Sequence, residues 1–268
     1  MKSKEKLISA FDKGLHVCVG LDSDINKIPK HLLAFDDPVF EFNKAIIEAT
    51  KDFSAAYKLN FAFYESEGIG GLSAMEKTLK YIPENIFTIA DAKRGDIGNS
   101  SAMYAKSVFE HFGFDSVTLH PLMGGDSLSP FFEYEDKVHF ILALTSNPGS
   151  ADFEKLKLSN KKYLFQEVIK KTNDWNENVN LGIVFGATNS DELRENIDSF
   201  EDLFVLLPGV GAQGGSLEEI VKIFSEKKSR NFLVNISRAL IYAGSDKYFS
   251  QACRDKLIDY NEIIYKFL

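Results

Sequence analysis

The feature that most constrains the fold is a regular alternation of short apolar runs with longer amphipathic segments along the whole chain. The apolar runs have the length and the content of β-branched residues that are typical of buried parallel strands. Eight of them can be read, at residues 16–22, 55–64, 86–91, 116–120, 139–145, 181–187, 203–207 and 232–236. Eight strands separated by helices predict a (β/α)8 barrel, and an open doubly wound sheet is the structural alternative.

The segments between the runs carry apolar residues at helical spacing. Helices are predicted at residues 1–14, 38–52, 68–83, 160–175, 191–198, 217–229 and 251–267, and a further helix, capped by Asn99 or Ser100, carries residues 103–112. The chain has 268 residues, of which 44% are apolar, and one such barrel needs about 250 residues. We therefore expect a single α/β barrel domain over residues 1–268, with a helix at each end.

Composition narrows the range of partners and locations. The net charge of −8 argues against a general nucleic-acid surface or a polybasic membrane patch. No apolar stretch reaches the 18 residues of a membrane span, and the first 14 residues look like an amphipathic helix rather than a signal peptide. The two cysteines, Cys18 and Cys253, form no C-x-x-C pair and are expected to be buried thiols. These features predict a cytoplasmic protein.

The most informative stretch is residues 86–101, IFTIADAKRGDIGNSS, in which an apolar strand runs directly into three charged residues. Side chains two apart on a strand share a face, so Asp91 and Lys93 should point the same way, with Asp96 close by. A solvated strand exit with a local ion pair is the plain alternative. In an α/β barrel, however, this end of the strands is where catalytic residues lie. A lysine held between carboxylates stays protonated and suits a proton donor.

Two further charged residues belong to neighbouring apolar strands. Asp22 ends the first predicted strand, and Lys58 lies inside the second. A lysine in such an apolar strand is costly unless it is paired, so Lys58 should face a carboxylate.

The seventh and eighth strands are followed by residues that suit a phosphate group. Residues 208–215, PGVGAQGG, contain four glycines just before a predicted helix, and such loops expose backbone N–H groups to anions. Glycine loops also serve as tight turns, but barrel phosphate sites commonly involve the loops after strands seven and eight. Arg238, just after the eighth strand, offers a permanently charged planar donor, although a surface arginine at a helix start is the alternative.

Taken together, the motif D-A-K-R-G-D-I at residues 91–97, the strand lysine before it, and P-G-V-G-A-Q-G-G with a later arginine resemble the orotidine 5′-phosphate decarboxylases. The motif sequence is similar to that of the longer bacterial branch, and the resemblance extends from about Val17 to Arg238. It implies the last step of de novo UMP synthesis, in which orotidine 5′-monophosphate becomes uridine 5′-monophosphate and carbon dioxide. It also implies a reaction with neither metal nor organic cofactor.

The same resemblance implies a role for each charged residue of the motif. Asp22 would hold the ribose. An alternating charge array would follow, with its proton donor at Lys93, and its members would be Lys58, Asp91, Lys93 and Asp96. In the family the last aspartate reaches into the site of a partner subunit, so Asp96 implies a homodimer.

The remaining contacts implied by the resemblance involve the ligand alone. Ser100 falls where a hydroxyl contacts the ribose, and Ser146 falls where a serine contacts the pyrimidine ring. Gln213 and Arg238 match the phosphate ligands. The loop that begins at His120 departs from the family wording, and no role is assigned to it.

Two other functions remain open from the sequence. Related barrel enzymes that act on sugar phosphates share D-x-K-x-x-D but use magnesium, which needs a further acidic ligand at a strand end. Near the second strand only Glu65 offers a carboxylate. A non-catalytic nucleotide-binding barrel that keeps the phosphate loop is the other alternative.

Overall fold

A computed structural model describes residues 1–211 and 214–268. Eight parallel strands pair with their sequence neighbours, and the eighth pairs with the first, so the sheet closes into a barrel. The predicted barrel is therefore confirmed, and the open sheet is excluded. The strands are β1 (Val17–Gly20), β2 (Ala56–Asn60), β3 (Phe87–Arg94), β4 (Ser116–Leu119), β5 (Val138–Leu144), β6 (Leu181–Phe185), β7 (Phe204–Pro208) and β8 (Phe232–Ile236).

Helices connect successive strands along the described chain. They are α1 (Ser3–Asp12), α2 (Pro38–Thr50), α3 (Phe61–Glu65), α4 (Gly68–Tyr81), α5 (Gly98–Lys106), α6 (Ser129–Phe132), α7 (Leu164–Trp175), α8 (Ser190–Asn196), α9 (Leu217–Glu226), α10 (Arg238–Ile241) and α11 (Phe249–Tyr265). Short 3-10 turns occur at Lys30–Ala34, Pro121–Met123, Gly125–Ser127, Pro148–Asp152 and Ile197–Ser199, and α5 continues as a π-helix over Ser107–Phe112. Over residues 1–211 and 214–268, every helix is too short or too polar to cross a membrane.

The two largest differences from the predicted strand boundaries are at the ends of β2 and β3. The second strand was expected over residues 55–64, but β2 ends at Asn60, whose side-chain oxygen accepts a hydrogen bond from the Ala62 N–H at 3.2 Å. This contact satisfies a free amide at a helix start and begins α3 there. The third strand was expected to end at Asp91, whereas β3 continues to Arg94.

The starts of α5 and α7 also differ from the prediction. The helix expected to be capped by Asn99 or Ser100 begins slightly earlier, at Gly98. The helix expected from residue 160 begins at Leu164, because Lys157 and Tyr163 pair as an antiparallel bridge around a tight turn. The chain before Leu164 is therefore committed to another hydrogen-bond pattern.

Apolar side chains pack in two layers, one inside the barrel and one between the barrel and its helices. The interior layer takes alternate residues of the strands, such as Cys18, Phe140 and Leu233, together with Leu7 and Phe11 of α1. The layer between the barrel and its helices is formed by the strand residues that alternate with these, together with apolar residues of the helices. Both cysteines are buried free thiols, as expected, and burial raises the pKa of each to about 12.

Helix α1 covers the amino-terminal end of the barrel through a buried ion pair. Lys6 Nζ lies 2.9 Å from Asp115 Oδ1, and Ser3 Oγ donates to the same oxygen at 2.9 Å. The other oxygen, Asp115 Oδ2, accepts from the N–H and the hydroxyl of Thr88, each at 3.0 Å. This end is closed by satisfied polar contacts, and the site lies at the opposite end.

Candidate active site

The carboxyl ends of the strands open into a cavity of about 320 Å³. Its walls come from residues in or just after all eight strands. The cavity brings together six of the residues that the sequence singled out, namely Asp22, Lys58, Asp91, Lys93, Ser146 and Arg238. In a barrel of this kind such a position is the one used for catalysis.

Lys58 is the buried centre of the charges in this cavity. Its side chain is only 4% exposed, and its Nζ lies 2.7 Å from Asp91 Oδ2 and 3.6 Å from Asp22 Oδ1. The structure thus confirms that this strand lysine faces carboxylates. Burial favours the neutral amine, but the two carboxylates outweigh it and raise the pKa of Lys58 above its ordinary value. Lys58 is therefore a permanent cation at neutral pH.

Asp91 links the two lysines of the site. Its Oδ2 accepts from Lys58, while its Oδ1 accepts from Lys93 Nζ at 2.5 Å and from Thr118 Oγ1 at 3.1 Å. Burial would raise the pKa of this carboxyl, but the charges of Lys58 and Lys93 hold the pKa well below its usual range. Asp91 therefore remains ionised, with each oxygen bound to a different ammonium group.

A β-bulge places Lys93. On β3 the pairing with β4 shifts between Ala90, opposite Val117, and Arg94, opposite Leu119. Lys93 lies in this extra length with φ +48°, a left-handed conformation that is uncommon for a residue other than glycine. Its N–H donates to Thr118 Oγ1 at 3.0 Å, and this bond helps hold the bulge.

The bulge leaves Lys93 accessible while Lys58 is enclosed. The Lys93 side chain is 52% exposed and lines the cavity, whereas Lys58 is shielded by the strands around it. Of these two lysines, Lys93 is consequently the more accessible to a ligand in the cavity, and Asp91 restrains its position.

Not every residue singled out in the sequence lines this cavity. Asp96 lies outside the lining and accepts a hydrogen bond from the Ile97 N–H at 2.8 Å. Ser100 is exposed on α5, also outside the lining. Gln213 lies outside the residues that the structure describes.

The rim after β7 and β8 carries an exposed cation. Arg238 begins α10 and lines the cavity together with Ser237 and Gly209. Gly20 of β1 makes room for this rim, because a Cβ there would lie 1.9 Å from Ser237 Oγ. The cation and the glycine loop thus approach the same part of the cavity.

Thr118 and Asn235 are polar residues of the cavity that sequence reasoning missed. Asn235 Nδ2 donates to Ser237 Oγ at 3.3 Å, while its Oδ1 is buried and has no hydrogen-bond partner among the described residues. Thr118 and Asn235 both lie at alternate strand positions that point into the barrel. A polar residue among these inward-pointing positions could have identified them as site residues from the sequence.

The carboxylates near the cavity do not form a group of metal-ligand type. Lys58 lies between Asp22 and Asp91, and Glu65 pairs with Arg94 Nη2 at 2.5 Å. Within residues 1–211 and 214–268, groups of three or more potential ligands among His, Cys, Asp and Glu are absent. Glu65, the further carboxylate near the second strand, is thus paired with Arg94.

The fold and the cavity define a (β/α)8 barrel whose paired lysines and aspartates lie at the carboxyl ends of the strands, the arrangement of barrel enzymes. Comparison with known families narrows this class. The family described as "Orotidine 5'-phosphate decarboxylase / HUMPS family" matches residues 16–252, and the chain belongs to this family.

Individual relatives agree with this placement. An orotidine 5′-phosphate decarboxylase of Christiangramia forsetii is 48% identical over 254 residues, which cover 94% of this chain and 93% of that protein. One from Phocaeicola vulgatus is 51% identical over 237 residues, 87% of each chain. Among solved structures, the OMP decarboxylase of Leishmania donovani matches with a TM-score of 0.84 at 33% identity and covers 99% of both chains.

Proposed function

We propose that this chain decarboxylates orotidine 5′-monophosphate (OMP) to uridine 5′-monophosphate (UMP) and carbon dioxide, the last step of de novo UMP synthesis. The observation that carries the proposal is the array of Lys58, Asp91 and Lys93, in which one cation is enclosed and the other faces the cavity. Membership of the family and the names of the relatives support the substrate.

The reaction sets a clear electrostatic demand. Loss of carbon dioxide from C6 of the pyrimidine leaves a carbanion in the ring plane, where delocalisation into the carbonyl groups is poor. A positioned cation can stabilise this charge and then protonate the carbon. Lys93 is the accessible ammonium group of the array, so we assign it the role of proton donor.

Asp91 and Lys58 hold this donor in place. The two oxygens of Asp91 bind the two ammonium groups, at 2.5 Å and 2.7 Å. These contacts support a positioning role for Asp91 toward Lys93. Its retained negative charge would also repel the substrate carboxylate before it departs.

The substrate-binding roles follow the same orientation. We propose that Asp22 and Ser100 contact the ribose, that Ser146 contacts the pyrimidine ring, and that Gln213 and Arg238 bind the phosphate. The positions of Ser146 after β5 and Arg238 after β8 support a ligand that extends across the cavity. Binding energy from the phosphate can then contribute to excluding water around the reacting bond.

We also propose a homodimer in which Asp96 completes the site of the partner subunit. Large apolar side chains are exposed on the segments beside Asp96, and they are Ile97, Met103, Leu122 and Met123. Such a grouping is typical of an interaction surface. Light scattering gives the mass in solution, and mixing the inactive variants Asp96→Ala and Lys93→Ala should restore activity if sites are shared. A monomer, or no restored activity, would count against the shared site.

Three broader properties belong to the proposal. Residues 1–268 form one domain, the protein is cytoplasmic, and the reaction uses neither metal nor organic cofactor. The decisive assay follows the near-ultraviolet absorbance of OMP with purified protein in excess chelator. A shift to the UMP spectrum is expected. Binding of UMP without turnover would instead favour a non-catalytic role, and activity that chelation abolishes would favour magnesium chemistry.

Lys93→Ala should bind UMP but show no measurable decarboxylation, because the accessible proton donor is gone. Calorimetry measures the binding and the absorbance assay measures the turnover. The control is Lys170→Ala, since Lys170 pairs with Asp174 on the surface of α7. Near-normal turnover by Lys93→Ala would contradict the assignment.

Arg238→Ala should weaken UMP binding by about 1.5–3 kcal/mol, the scale of a hydrogen bond to a charged group. Uridine, which has no phosphate, should bind parent and variant alike. Equal affinity of the two proteins for UMP would refute the phosphate role of Arg238.

A further inference from the structure

The chain segment 145–147, which follows β5 and lines the cavity, is held from outside the cavity by side chains of other segments. The Thr145 N–H donates to Glu154 Oε2 at 2.7 Å. The Thr145 carbonyl accepts from Asn189 Nδ2 at 3.1 Å, and the Ser146 carbonyl accepts from Thr188 Oγ1 at 3.2 Å. Three backbone groups of Thr145 and Ser146 are therefore held by side chains.

The residue after Glu154 connects the two sides of this arrangement. Lys155 Nζ donates to Asn189 Oδ1 at 3.0 Å and pairs with Glu192 of α8. Because Asn189 also donates to Thr145, the contacts close a ring that passes through Glu154, Thr145, Asn189 and Lys155. Segment 145–147 is thus tied to the start of α8.

Steric contact limits the segment further. At Gly186, just after β6, a Cβ would lie 2.6 Å from the Ser146 N atom. The backbone of Ser146 therefore rests directly on the end of the neighbouring strand. A small shift of Thr145 would be passed on to Ser146, since the two share a peptide plane.

Glu154 makes the strongest of these contacts. Both carboxylate oxygens lie 3.0 Å from Thr145 Oγ1, in addition to the bond from the N–H. A hydrogen bond from a backbone amide to an ionised carboxylate is roughly twice as strong as one between neutral groups. The hydroxyl has a single proton, and its other neighbour is Asn147 Oδ1 at 2.7 Å. That proton can go to Asn147 or to one Glu154 oxygen, so the restraint that Glu154 supplies is on the backbone, through the N–H of Thr145.

We propose that Glu154 is a positioning residue for recognition of the pyrimidine ring, acting through Thr145 on Ser146, with Lys155 and Asn189 supporting the opposite side. This inference rests on the proposed function. Its consequence is selective: loss of Glu154 should affect ligands that carry the base and leave ligands that carry only ribose and phosphate unchanged.

The test compares parent, Glu154→Ala and Glu154→Gln by calorimetry with UMP and with ribose 5-phosphate, after the parent has been assayed with OMP. We expect Glu154→Ala to weaken UMP about tenfold, the effect of losing one charged hydrogen bond. Its affinity for ribose 5-phosphate should stay within about twofold. Glu154→Gln keeps an acceptor for the Thr145 N–H and should recover most of the UMP affinity.

Two further variants serve as a control and as an independent test of the same ring of contacts. Glu226→Ala, which removes a glutamate paired with Arg194 on the surface, is the matched control and should equal the parent. Lys155→Met removes the link to Asn189 from a partly exposed position and should weaken UMP selectively, so it tests the same ring if Glu154→Ala does not fold.

The outcomes distinguish a failure of the proposed decarboxylase function from a failure of the positioning role of Glu154. A parent that does not convert OMP would overturn the proposed function and this inference with it. A parent that converts OMP, with Glu154→Ala losing both ligands equally, would show a general structural effect and overturn the positioning role alone. Unchanged affinity for both ligands in Glu154→Ala and in Lys155→Met would also overturn it.

Discussion

Replacing Lys58 with methionine removes the enclosed cation of the site and keeps most of the side-chain volume. In the parent, Lys58 Nζ lies 2.7 Å from Asp91 and 3.6 Å from Asp22, with 4% of the side chain exposed. In the variant Asp22 loses this cation, and Asp91 retains only Lys93 and Thr118. A buried carboxylate without its partner is strongly destabilising.

The size of the effect follows from these distances. With an effective dielectric constant of about 20, the attraction is about 6 kcal/mol at 2.7 Å and about 5 kcal/mol at 3.6 Å. Desolvation of Lys58 cancels several kcal/mol of this, so the net loss should match the about 3–5 kcal/mol found when one partner of a buried pair is removed. Since whole domains are stable by about 5–15 kcal/mol, Lys58→Met should unfold at a much lower urea concentration.

The pH dependence of the stability difference tests whether the unpaired charge of Asp91 is its cause. The parent holds the pKa of Asp91 below its usual range, so this carboxylate stabilises the fold above pH about 4 and the stabilisation is lost as the pH falls through its folded pKa. Without Lys58 the pKa of Asp91 rises, and protonation then relieves the unpaired charge. The stability difference between parent and variant should therefore narrow as the pH falls from 7.5 toward 4.

Urea unfolding at several pH values measures both effects. The matched control is Lys170→Met, which removes an exposed lysine from α7 and should leave the unfolding midpoint unchanged. A loss below about 1 kcal/mol for Lys58→Met at pH 7.5 would refute the reasoning, since buried partners cost more than this when removed.

Two predictions concern the opposite end of the barrel and the buried histidines. Lys6→Met should cost about 3 kcal/mol or more in urea unfolding, because it leaves Asp115 buried without its cation; a change below about 0.5 kcal/mol would contradict this. Burial lowers the pKa of His16 to about 4 and of His139 to about 3, so only the unfolded chain takes up these protons below pH about 6.5. The free energy of unfolding should therefore fall by up to about 2.7 kcal/mol per pH unit as the pH falls from 6.5 toward 4. The prediction would be contradicted if a variant with glutamine at both His16 and His139 kept the parent's dependence of unfolding free energy on pH.

The barrel could be predicted because its main determinant is local. Each strand is a short apolar run, and eight such runs leave few arrangements. The pairing of Lys58 with a carboxylate was also predictable, since burial of an unpaired lysine is costly. The end of β2 was not, because the apolar sequence FAFY at residues 61–64 fits a strand and a helix equally well, and the side chain of Asn60 decides between them.

The geometry of Lys93 could not be predicted from the sequence. Its backbone is left-handed although the residue is not a glycine, so the residue type gives no indication of this conformation. The bulge also depends on β4, where Thr118 Oγ1 accepts a hydrogen bond from the Lys93 N–H, 25 residues away along the chain. The polar role of Thr118 appears only when the strands are in register. Long-range pairing thus sets the position of the residue to which the chemistry is assigned.

The two ends of the barrel use the same pair of residue types for different purposes. At the amino-terminal end, Asp115 receives Lys6 together with three hydroxyl or backbone donors, so its hydrogen-bonding capacity is filled. At the carboxyl end, Asp22 Oδ1 accepts no hydrogen bond from the described residues, and Lys93 is half exposed in a strained conformation. The first arrangement closes the amino-terminal end of the barrel. The second leaves charge and donors available to a ligand, and backbone strain such as that at Lys93 is typical of functional sites.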